Sequence, residues 1–239
     1  MKRAELPSFG NLNGIRVVTT GTNIAGPVAA TFLAEQGAEV IHIESTKAPD
    51  MLRRMGRAWT MEHRNGRSMA LNIPDPEGKK IFLKLLEEAD VLIEASKAGQ
   101  YDKWGLTDEV LWQANPKLVI AHVSGFGQTG DPAYVSRPSF DPIGQAFSGF
   151  AAVNGMPEPE PPYAAKPYTC DYISALFTAW SVAAALINVL RTGKGESIDL
   201  AQYETMVRIQ SDYLIGGVNE GVQPPRIGIR GNTLQAVPN

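Results

Sequence analysis

The two side chains best suited to covalent chemistry are adjacent, Cys170 and Asp171, and stand directly ahead of a long apolar stretch. Asp is among the best helix N-caps, because its carboxylate accepts bonds from the first unpaired backbone amides. The same position suits a carboxylate nucleophile, since a helix N-terminus favours the ionised form even where water is partly excluded. Both readings of Asp171 stand on these residues alone. Cys170 is the competing nucleophile, but a cysteine acyl carrier wants a histidine base. Only His42, His63 and His122 exist, and His42 and His122 lie inside strand-like runs. Cys170 therefore reads as a small buried apolar residue.

Other groups could bind rather than react. GTNIAGP (21–27) offers backbone amides at a strand-to-helix turn, where an anion is welcome, although Gly21 and Gly26 alone do not make G-x-G-x-x-G. Glu44 closes the next strand, the place where a dinucleotide fold holds a ribose. A tight turn and a surface acid would look the same. Lys97 and Lys103 bracket a turn after VLIEAS (91–96), and Arg64, Arg67 and Arg137 fall near loops. Each alone is a solvated charge; together they suit the phosphates of an anionic cofactor.

These residues need elements to position them. Short β-branched runs at 15–20, 38–44, 68–73, 91–96 and 118–124 read as buried strands. Helical stretches lie between them: Val28 to Gln36 stopped by Gly37, a helix capped by Asp75-Pro76, and a short one capped by Thr107. Strands separated by helices imply right-handed crossovers and a mainly parallel sheet. The expected fold is α/β, a Rossmann-like parallel sheet with helices on both faces. Gly127 to Ser139 reads as a loop and FDPIGQAFSGF (140–150) as a helix. Five prolines between Pro157 and Pro167 make an extended connector. The long helix follows, closed by Thr192-Gly193, then ESIDLA (196–201) and a helix from Gln202 to about Leu214. Beyond Gly216 the residues are Gly, Pro and polar without periodicity. Residues 1–215 thus read as one large domain and 216–239 as a linker.

Composition narrows the classes of function. A net charge of −3 argues against nucleic acid as the main partner. The single cysteine rules out an internal disulfide and a multi-cysteine metal centre. MKRAELPSFGNL has basic residues with no apolar stretch behind them, so it does not read as a secretory signal, and a reducing cytoplasm is expected. Tyr172 to Leu190 carries no formal charge over nearly a membrane span's length. Its Ser, Thr and Asn content and its place inside an α/β pattern favour a buried helix over a membrane partner.

Taken end to end, the chain resembles the class III CoA-transferases, the family of formyl-CoA transferase and crotonobetainyl-CoA:carnitine CoA-transferase. The stretches that carry the resemblance are LNGIRVV, IAGPVAATFLAEQGAEVIHIE, NGRSMALNI, VLIEASKAGQYDKWGL, NPKLVIAHVSGFGQTG, DPIGQAFSGF, CDYISALFTAWSVAAAL and RTGKGESIDLAQYE. TDEVLWQ, NPKLVIAH and SGFGQ look most like the carnitine-type branch.

The resemblance implies that Asp171 is the nucleophile and that Ile24, Ala25, Ala95, Ser96 and Lys97 touch CoA. It implies a basic residue near Gly105, for which Lys103 is the candidate, and a cofactor-facing cation at Arg137. The carnitine-type pattern has an arginine immediately before that glycine, where Trp104 stands here. Implied substrates are an acyl-CoA and a carboxylic acid such as carnitine, with no metal and no redox cofactor, in an interlocked homodimer. The implied smaller domain and glycine-rich loop are not among these residues. For a trimethylammonium substrate, Tyr101, Trp104 and Tyr172 are candidates for an aromatic wall. Two other classes stay open: a nicotinamide oxidoreductase using the first βα turn and Glu44, and a non-catalytic CoA-binding fragment.

Overall fold

The computed structural model describes residues 8–228. Six strands form one sheet in the order β3-β2-β1-β4-β5-β6, with every neighbouring pair parallel. They are β1 (Arg16–Thr19), β2 (Glu39–Glu44), β3 (Gly66–Ala70), β4 (Val91–Glu94), β5 (Val119–Ser124) and β6 (Glu196–Ala201). The central strands are mostly apolar, and they are buried along their whole length because helices cover both faces of the sheet.

Alternation along each strand splits the core in two. Val17, Val91, Ile93, Val119, Ala121 and Val123 meet α1 (Ala25–Glu35) and α8 (Thr169–Thr192) on one face. Val18, Leu92, Leu118 and Ile120 meet Phe82 and Leu86 of α3 (Pro76–Leu86) and Leu111 of α5 (Asp108–Ala114) on the other. Phe82, Leu86, Leu92, Leu111 and Leu118 are fully buried. Each such side chain contributes about 1.5–3 kcal/mol relative to an exposed one. Ala29 and Ala30, with no exposure at all, let α1 approach Ala175, Val182 and Ala185 of α8 closely.

Asp75 caps α3 as expected, accepting from the amides of Glu77 and Gly78. Thr107 is the N-cap residue of α5, but its side chain makes no capping bond. α8 begins at Thr169 and stops at Gly193, which takes a left-handed φ of 71°. Its length and mean hydropathy of 1.9 would suit a membrane span. One side packs on the core, while Leu176, Trp180, Ile187 and Leu190 on the helix stay exposed.

The structure departs from the sequence reading in places where short polar segments fold. The third strand is 66–70 rather than 68–73; Leu71 still donates its amide to Glu44 O at 2.8 Å, and Asn72 to Pro74 then leave the ladder to line a cavity. Between β2 and β3 the chain makes a 3₁₀ turn (Met51–Met55) and α2 (Arg57–Glu62). The segments read as a turn and as a loop contain α4 (Gln100–Lys103) and α6 (Pro132–Val135), the latter capped by Asp131. α7 (Asp141–Phe147) follows. The helix expected to run to Leu214 breaks at Ser211, where φ is 54°, into α9 (Gln202–Arg208) and α10 (Asp212–Ile215). Gly216–Glu220 makes a π turn within the segment read as linker, and the linker's residues 229–239 lie outside the described part.

Candidate active site

In an open parallel sheet of this order the chain leaves β1 and β4 in opposite directions, and ligands bind at the carboxyl ends of those strands. The crevice here lies at that place, in two cavities. The inner, about 270 Å³, is lined by Asn23, Ile24, Ala25, Lys97, Arg137, Phe140, Asp171 and Gln202 among others. The outer, about 620 Å³, is lined by Lys47, Leu71, Asn72, Pro74 and Trp104 among others. Thr22, Ala95 and Ser96 line both.

The first wall is the turn from β1 into α1. Asn23 adopts φ 65°, and its amide donates to Asp50 Oδ2 at 2.7 Å, which fixes the turn from outside the crevice. A side chain at Gly26 would meet Ala95 Cβ at 2.9 Å, so only glycine lets the loops after β1 and β4 touch. Ile24, the N-cap residue of α1, makes no side-chain cap, which leaves the first turn's amides for something else.

Asp171 comes to the inner cavity from the other side. It is the third residue of α8 rather than its cap, and its Oδ1 accepts from Gln202 Nε2 at 2.5 Å. The capping is done by Asp141: its Oδ1 accepts from the amides of Cys170 at 2.6 Å and Asp171 at 3.3 Å, and its Oδ2 from Gln145 Nε2 at 2.7 Å. Asp141 and Asp171 are both buried. Burial first, and then the Asp141 charge, push the Asp171 carboxyl up to about 7 against the bond from Gln202. The expectation that the helix N-terminus holds this carboxylate firmly ionised is thus corrected: a second carboxylate already occupies the helix end.

Cys170 is wholly buried beside it. Burial and the two carboxylates push its thiol up to about 12, and Sγ approaches Gln202 O at 3.5 Å. A thiol so disfavoured as thiolate is a poor nucleophile.

The structure brings together Ile24, Ala25, Ala95, Ser96, Lys97, Arg137 and Asp171 around the inner cavity. Lys97 and Arg137 are its exposed cations. Trp104 reaches only the outer cavity. Lys103 is exposed on α4 and lines neither cavity. The cation at Gly105 is instead Lys79, whose Nζ donates to Trp104 O at 2.8 Å and Gly105 O at 2.7 Å. The expected aromatic wall is not at Asp171: Tyr101 is buried with its hydroxyl on Thr20 Oγ1 at 2.6 Å, and the Tyr172 hydroxyl bonds Glu62. The aromatic lining the inner cavity is Phe140. Glu44 is taken up by Arg53, which donates to it from Nε at 2.8 Å and from Nη2, so it is not an open ribose acceptor.

Sequence reasoning missed Asp141 and Gln202. Asp141-Pro142 carries a helix-start signal, but the carboxylate serves a helix that begins 28 residues later at Thr169, a pairing no local pattern reveals.

The sequence profile described as CoA-transferase family III matches residues 12–238. A bile acid CoA-transferase, BaiK, of Clostridium scindens is 49% identical over 223 residues, which are 93% of this chain and 50% of that one. An L-carnitine CoA-transferase of Proteus mirabilis is 48% identical over 222 residues, 93% of this chain and 54% of that one. Among solved structures, a CAIB/BAIF family protein from Brucella suis superposes with a TM-score of 0.86 at 30% identity, covering 92% of this chain and 61% of that one. The chain spans about half the length of the curated relatives it matches.

Proposed function

The chain belongs to CoA-transferase family III, and from that premise we propose that it is the nucleophile-bearing part of an enzyme that moves CoA from an acyl-CoA to a carboxylic acid. The observation that carries the reading is Asp171, a buried carboxylate on the wall of a cavity whose opposite wall is the loops after β1 and β4. Asp171 would attack the thioester carbonyl of the donor, forming an aspartyl–acyl anhydride and releasing CoA thiolate. The thiolate then attacks the aspartyl carbonyl, the donor acid leaves, and an aspartyl thioester of CoA remains. The incoming carboxylate attacks that thioester to form a second anhydride and free the thiolate. Attack of the thiolate on the new acyl carbonyl gives the product and returns Asp171. Each step exchanges one activated acyl group for another, so the sequence closes without a metal or an electron carrier.

Lys97 and Arg137 would meet the ligand's phosphates. Residues 1–215 would form the large domain and 216–239 lead toward a smaller one, in a cytoplasmic, interlocked homodimer working on small molecules rather than nucleic acid or membrane. Carnitine or a related betaine is the acid the sequence favours. A steroid carboxylate is the second reading, supported by the near-equal identity to the bile acid enzyme. The capture of Glu44 by Arg53 weighs against a nicotinamide enzyme.

Incubating the full-length protein with an acyl-CoA and measuring its mass tests the reading. An adduct of the CoA or acyl mass on the peptide carrying Asp171, absent from Asp171→Ala, is the expected result. An adduct on another residue, or transfer by Asp171→Ala at a tenth or more of the parent rate, overturns it. Running carnitine and a bile acid as competing acceptors then separates the two acids.

A further inference from the structure

Beneath the crevice, three ionisable side chains are linked in a row. Glu94 ends β4 and is 2% exposed; His122, beside it on β5, is 9% exposed. His122 Nδ1 lies 2.8 Å from Glu94 Oε1 and Nε2 lies 2.9 Å from Asp108 Oδ1, at the start of α5. Two carboxylates on the two ring nitrogens require both nitrogens to carry a proton, so the ring is an imidazolium. Burial alone would discourage that charge, but the bonds to Asp108 and Glu94 outweigh it and lift His122 to about 10.

Such a group is costly to bury, and an apolar trio of similar volume is often no less stable. Its use is visible at the far end of the row. Glu94 Oε2 accepts the backbone amide of Ser96 at 2.8 Å. Ser96 is one of three residues that line both cavities, and Ala95, Lys97 and Ala98 beside it line the inner one. We propose that Glu94 is a positioning residue for the CoA ligand: it fixes the 95–98 loop through the Ser96 amide, and His122 holds and neutralises it from behind. The neutralisation matters because a bare carboxylate under an anion-binding loop would repel the phosphates that Lys97 attracts. Asp108 completes the row by holding His122 in register between β5 and α5.

This inference rests on CoA being the ligand, so its test reads CoA binding before activity. Calorimetry of the full-length protein with CoA is compared for wild type, Glu94→Ala, Glu94→Gln and His122→Gln, each at a temperature where circular dichroism shows it folded. Glu94→Ala should raise the Kd for CoA and the KM for acyl-CoA about tenfold, the scale of one lost hydrogen bond to a charged group. Its kcat should fall by less than about threefold, since ground and transition states lose the same contact. Glu94→Gln should recover most of the affinity, because its amide oxygen can still accept from Ser96. His122→Gln removes the positive charge behind Glu94, so its Kd should rise, and more steeply with falling ionic strength.

A Glu94→Ala protein that binds CoA within about twofold of wild type, or a loss of kcat at unchanged KM, overturns the proposal. Should Glu94→Ala fail to fold, the Glu94→Gln and His122→Gln pair decides alone: equal affinity in both also overturns it. If wild type binds no CoA, the functional reading fails and this inference with it. If wild type binds and no variant differs, this inference alone fails.

Discussion

Asp171 can act as a nucleophile only when ionised, and with its pKa near 7 it is about half protonated at neutral pH. The acid limb of transfer by the full enzyme should therefore lie near pH 7 and not in the ordinary carboxylate range. Asp141→Asn removes the neighbouring charge yet leaves an oxygen to accept the Cys170 and Asp171 amides. It should move that limb to lower pH, whereas Gln202→Leu, which removes the bond favouring the ionised form, should move it higher. A pH–rate profile that neither change displaces would contradict this coupling. The same group bears on stability with a definite sign. Its folded pKa lies above the ordinary 3.8, so the folded protein holds the proton more tightly. Stability is favoured at low pH and declines as the pH rises through about 7. Asp171→Asn should raise Tm near pH 8 and raise it less near pH 5, read by thermal melts at the two pH values.

Elements differ in how far their role can be seen in advance. The central strands were legible because both of their faces are buried, so Val17-Val18, VLI and LVIA stand out as apolar, β-branched runs. Asp75-Pro76 and Thr192-Gly193 marked helix ends through chemistry that is local in sequence. The resemblance implied that Ile24, Ala25, Ala95, Ser96 and Lys97 touch one ligand, and the sheet order is what sets them around one cavity. What stayed hidden depends on long-range pairing. Glu94 and His122 sit inside apolar strands and look like interruptions until the strands are laid side by side. Lys79, and not Lys103, is the cation beside Gly105 for the same reason: α3 carries Lys79 to the end of α4, a contact 26 residues apart in sequence. The cations therefore divide into two groups. Lys97→Ala and Arg137→Ala should weaken CoA binding several-fold, with the loss shrinking as salt rises, while Lys103→Ala should change it much less. Titration of the three variants at low and high salt checks this, and a larger loss in Lys103→Ala would place the phosphates nearer α4.

At the scale of the whole chain, the outer face of α8 is unusually apolar for a surface, with Trp180 69% and Leu190 85% exposed. Patches of this kind drive association when nothing covers them. Residues 1–239 on their own should self-associate at micromolar concentration, and Trp180→Glu with Leu190→Glu should reduce that without altering circular dichroism. Light scattering decides it; a monomeric parent chain over the whole concentration range is the contrary result. A different consequence follows from the ridge of Thr22, Ala95 and Ser96 that both cavities share. Under the proposed function, an acyl-CoA reaching over it would behave as two tethered binding groups, with its thioester end beside Asp171. Once one end is seated, the other is presented at an effective concentration in about the millimolar range for a short flexible tether. Cut at that tether, a pantetheine thioester and the separate nucleotide should each bind far more weakly than acyl-CoA. Adding both fragments together should not restore the affinity, because it is the covalent link over the ridge, and no single contact, that makes the second binding event intramolecular.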